Sequence, residues 1–107
     1  MTPHEMVILA GKSLTGTDNW AKKLARDLGY YHPDGSRGTI DPRSVSRWRT
    51  GEMEVLPWAA AALPRILQFE ASMLEDEAAQ MKASADRMRK AAARIEQSLE
   101  PPPGPRP

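Results

Sequence analysis

Along residues 3–29 the apolar positions recur at helical spacing, and each run is bracketed by residues that start or stop helices. In the first run Met6, Leu9, Ala10 and Leu14 share a face. Thr2 can cap it, Pro3 suits the first helical position, Glu5 stands at capping-box spacing, and Gly16 is the stop. Gly11 is out of place inside such a helix. The second run, Trp20, Leu24, Ala25 and Leu28, follows Thr17-Asp18 as cap and meets Gly29 as terminator. Lys22, Lys23 and Arg26 fall off its apolar face.

Residues 30–40, YYHPDGSRGTI, lose the helical period. Pro33-Asp34-Gly35 and Arg37-Gly38 are turn chemistry between the strand formers Tyr30, Tyr31, Thr39 and Ile40, so a loop or a short hairpin is expected. DPRSVSRWRTG, residues 41–51, is a third helix with every boundary marked. Asp41 caps it and favours its positive end, Pro42 takes the first position, Gly51 ends it, and Val45 and Trp48 share the inner face. Leu56-Pro57-Trp58 then opens an alanine-rich fourth helix. Pro64 is expected to kink or restart it, because an interior proline costs about 3 kcal/mol.

From Leu67 the spacing changes to alternating steps of four and three. Leu67, Leu74, Met81, Met88 and Ile95 fill one register, and Ala71, Ala78, Ala85, Ala92 and finally Leu99 fill the other. Sustained over more than four heptads, this is a coiled-coil seam. A helix of that length, roughly 50 Å, presents more apolar surface than a small head can cover, so it calls for a partner helix and a homo-oligomer. Acidic Glu70, Glu75, Asp76 and Glu77 precede basic Lys82, Arg87, Arg89, Lys90 and Arg94. That favours antiparallel pairing modestly and leaves parallel pairing open. The expected architecture is all-α: a head of about four short helices over 1–66, an oligomerisation helix over 67–99, and a disordered proline-rich tail over 100–107.

Composition narrows the function classes. The 107 residues allow one small domain plus an appendage. The net charge of +1 names no partner, yet residues 20–50 carry seven Lys and Arg against three Asp. The absence of cysteine removes disulfides, thiolate metal sites and cysteine nucleophiles. No apolar run approaches the roughly 20 residues that span a bilayer, and the N-terminus lacks a secretion-signal layout, so the expectation is a cytoplasmic protein without membrane contact. His4 and His32 read as surface groups with no carboxylates spaced to share a metal. No nucleophile motif or phosphate-binding glycine loop occurs, so neither an enzyme nor a cofactor is expected. Trp20, Trp48 and Trp58 read as core anchors.

A local basic excess around a well-capped helix suits DNA recognition, in which one helix crosses the backbone and the next enters the major groove. WAKKLARDLGY, DPRSVSRWRTGE and LPWAAAALPRIL resemble the small helix-turn-helix regulators of phages and mobile elements, related to the lambdoid repressors, over roughly residues 3–69. Ala25 with Gly29, Val45 with Trp48, and the Thr50-Gly51-Glu52 ending carry the likeness. The resemblance implies sequence-specific binding of double-stranded DNA, with Arg43, Ser44 and Arg47 reading bases. Ser46 and Arg49 would flank them on the backbone, with Lys22, Lys23 and Arg37 as further phosphate contacts. Repression by promoter occupancy is the default role.

The sequence departs from that family twice. Ala21 stands where the family often has a glutamine, and about eleven residues separate helices two and three where three or four are usual. The longer turn would bring Tyr30, Tyr31, His32, Ser36 and Arg37 within reach of phosphates. Two other readings share the layout: a phage-type small terminase subunit that recognises genome DNA as an oligomeric ring, and a protein-interaction adaptor acting through the coiled coil.

Overall fold

A computed structural model describes residues 1–99. The chain is all-helical: α1 spans Pro3–Thr15, α2 Ala21–Tyr30, α3 Pro42–Thr50 and α4 Pro57–Ser98, with no strand among the described residues. The tail expected over 100–107 lies outside them. Two compact units divide the chain, Met1–Ser72 and Met73–Pro107.

The first unit closes one core. Val7 and Ala10 of α1, then Trp20, then Leu24, Ala25 and Leu28 of α2 meet Val45 and Trp48 of α3. Ala59, Ala62, Leu63 and Ile66 of α4 complete the buried set. Burying an aliphatic side chain of this size contributes about 1.5–3 kcal/mol, and that sum lets four short elements hold together. α1 begins as its sequence suggests. The Glu5 N–H donates to Thr2 Oγ1 at 3.2 Å, Pro3 occupies the first turn, and Gly16 closes the helix at φ 68°. Its inner face differs from the expected one, because Leu9 is 52% exposed and Val7 takes the buried place.

Both internal glycines act through packing. A Cβ on Gly11 would lie 2.0 Å from Cδ2 of the buried Trp20 indole, so α1 can cross the ring only where it has no side chain. Gly29 does not terminate α2, which runs on to Tyr30. A Cβ there would lie 2.7 Å from the Arg37 carbonyl oxygen and from Thr39 Cα. Nor do Thr17 and Asp18 cap α2. Trp20 holds the N-cap position without a side-chain hydrogen bond, and Asp18 instead pairs with Lys12 at 3.6 Å. Burial of the indole sets where this helix starts.

The connection from α2 to α3 is a loop, not a hairpin. Its backbone is bonded to α2: the Arg37 N–H donates to the Gly29 carbonyl at 2.8 Å, and the Ile40 N–H to that of Ala25 at 3.0 Å. Tyr31 packs against the core with the Arg65 guanidinium 5.0 Å from its ring centre. The His32 ring lies 5.2 Å from that of Trp58 and is mostly covered. These two side chains pack against the head, a role that the expected phosphate contacts did not include.

Pro64 does not break α4, which is continuous across it. Ala62, Leu63 and Ile66 are buried on either side of the exposed ring. Their combined burial exceeds the roughly 3 kcal/mol cost of an interior proline. Leu67, expected on the seam, is half-buried against the head's core. In the second unit, the helix from Met73 onward buries none of its large apolar side chains. Leu74 is 63% exposed, Met81 and Met88 70%, and Ile95 60%.

Candidate nucleic-acid interface

α3 is held at both ends and along one face. Asp41 has extended backbone and its carboxylate accepts the Arg43 N–H at 2.9 Å, with Pro42 next in the first turn. That bond, reinforced by the Arg43 side chain and by the charges of Arg43 and Arg47, holds the Asp41 carboxyl below its ordinary value. At the far end Gly51 takes φ 83°, a left-handed conformation, and its N–H donates to the Trp48 carbonyl at 3.3 Å. The same carbonyl accepts from His4 Nδ1 at 2.7 Å, which requires the proton on that nitrogen. His4 is therefore half-buried and ties α1 to the last turn of α3, a structural role the surface-group expectation missed.

With Val45 and Trp48 fully inward, the opposite ridge of the helix carries Arg43, Arg47 and Thr50 at steps of four and three. Arg47 and Arg49 are exposed and have no carboxylate partner among the described residues. Arg47 lies alongside Met53, with Nη1 4.0 Å from Sδ. Arg43 is also exposed but folds back on the cap, its Nη2 3.3 Å from Asp41 Oδ2. Ser44 and Ser46 are half-buried at the flanks of the ridge. Thr50, absent from the expected contact set, belongs to the ridge by spacing. Its Oγ1 donates to the Arg47 carbonyl at 3.2 Å.

The expected backbone contacts separate into two groups. Lys22 is exposed and without an ion pair among the described residues, and Arg26, one turn on, shares that condition. Lys23 differs from its expected role. Its ammonium lies 3.0 Å from Asp27 and 3.0 Å from Glu70, half-covered between α2 and α4. Burial works against the charged ammonium, but the hydrogen bonds to Glu70 and Asp27 and their charges outweigh it and raise the Lys23 pKa. A cation engaged by two carboxylates is a poor phosphate ligand. Arg37 is exposed and pairs loosely with Asp34 at 3.8 Å.

No protein family, curated protein or solved structure matches this chain. No helix among the described residues is long and apolar enough to cross a membrane.

Proposed function

We propose that this protein binds double-stranded DNA by placing the outward ridge of α3 in the major groove, and that it acts as an oligomeric transcriptional regulator, by default a repressor. One observation carries the reading. A short helix, capped by Asp41 and Gly51 and anchored by Val45 and Trp48, turns unpaired Arg47 and Arg49 to solvent. Arginine can bond guanine O6 and N7 in a bidentate manner, worth about 1–3 kcal/mol of discrimination. Lys22 and Arg26 at exposed positions of α2 supply cations for the flanking phosphates.

Fluorescence anisotropy with a labelled pool of random duplexes, followed by selection and sequencing of the bound fraction, tests this reading. The expected result is a log affinity that falls linearly with log salt concentration, with an enriched sequence motif among the survivors. Absence of binding, or binding indifferent to salt, rejects it and leaves the chain as an adaptor for other proteins.

A further inference from the structure

The exposed seam of the second unit has a size pattern that selects one occupant and one direction. Between Met81 and Met88 the helix surface forms a groove of about 420 Å³ with Ser84 and Ala85 as its floor and Glu77 and Gln80 at its rim. The same sequence of walls and floor repeats along the unit, because large residues recur at 74, 81, 88 and 95 and alanines at 78, 85 and 92.

We propose that this face is covered by a second copy of the same chain running antiparallel, about a two-fold axis near residue 83. In that register Met81 sits over the partner's Ala85, Met88 over the partner's Ala78, and Leu74 over the partner's Ala92. Every layer from Leu74 to Ala92 then joins one large side chain to one alanine, and all of these layers demand the same separation between the helices. A parallel pair would alternate layers of two large side chains (Leu74, Met81, Met88 or Ile95 against itself) with layers of two alanines, which no single separation can fill without voids or overlap. Charge agrees with the direction. Glu75 comes opposite the partner's Arg89 twice in the pair, and the acidic half of each helix lies along the basic half of the other. The one like-charged meeting, Lys82 with the partner's Lys82, is exposed, where such pairs contribute little.

The pairing is independent of the DNA reading and is measured on the free protein. The chain contains no cysteine, so Ile95→Cys gives a single attachment point for a nitroxide on the full-length protein. The antiparallel register places the two labels about 36 Å apart along the axis, and a parallel pair places them about 10 Å apart. Double electron–electron resonance should return the long distance, with a dimer in sedimentation. A short distance, or a monomer when the unsubstituted chain is sedimented at the same concentration, overturns the proposal. Mixed oxidation supplies a second measurement: Leu74→Cys and Ala92→Cys chains should cross-link to each other, and Ile95→Cys chains should not cross-link to themselves. The reverse pattern also overturns it.

Discussion

Ile66 and Ile95 belong to the same helix and have opposite fates: the first is 2% exposed, the second 60%. The same contrast holds for Leu63 and Leu74, at 3% and 63%. In the first unit Ala59, Ala62, Leu63 and Ile66 of α4 join the core that α1–α3 form, so their burial is complete within one chain. In the second unit the apolar residues answer only to each other along a single helix. Under the proposed pairing, one helix carries two kinds of stability, one intrinsic to the chain and one that depends on concentration.

The comparison can be broken most forcefully by truncation. Ile66→Ala should lower the head's unfolding free energy by about 2–5 kcal/mol, read from denaturant midpoints at fixed protein concentration. Ile95→Ala should leave the head's unfolding unchanged and shift only the concentration dependence of association. Equal effects on the head from both would show that the two regions unfold as one. Gly11→Ala sharpens the intrinsic side. Helix propensity alone would gain about 1 kcal/mol, but a methyl driven into the Trp20 ring costs about 1–3 kcal/mol or more, so the midpoint should fall. A rise would mean the indole moves aside freely.

Arg47→Ala should leave the midpoint where it was and weaken DNA affinity by about 1–3 kcal/mol at the preferred site, relaxing choice there. Uniform weakening on all sequences would make Arg47 a phosphate contact. Smallest is the effect of Lys23→Met, about 1 kcal/mol or less of stability, since the ion cluster is partly exposed and screened. Its pH signature has a definite sign. The Lys23 pKa is raised in the fold, so the stabilisation is whole below 10.5 and is lost as pH rises through the folded value. A wild-type alkaline melting curve that matches the Lys23→Met curve would remove this interaction from the account.

Local grammar in the sequence reached as far as local causes reach. Thr2, Asp41, Gly16 and Gly51 act on backbone groups within a turn of themselves, so their roles were legible. Trp20 was legible as a core anchor but not as the N-cap of α2, and Gly29 was misread as a helix stop, because each of these roles is determined by a neighbour brought close only by folding. The indole fits beneath Gly11, and the loop backbone rests on Gly29. Pro64 was misread for the same reason, since its cost is local and its compensation is not. In the candidate interface, the arginines of α3 follow from their offset to Val45 and Trp48. The removal of Lys23 required Glu70, far along the chain, and His4 required a carbonyl on another helix. Neither pairing leaves a trace in spacing or composition.

The backbone bonds from Arg37 and Ile40 to α2 change what the long connection means. Eleven free residues would let α3 swing, but a strap riveted at two carbonyls behaves mechanically like a short one, so α3 inherits its orientation from α2. The length added here enlarges the perimeter of the head and leaves its internal bearing unchanged. Substitutions at the exposed Asp34 and Ser36 should therefore be far better tolerated than any that lift residues 37–40 from their anchorage, while Gly35 between them, at φ 121°, stays restricted to glycine by its backbone.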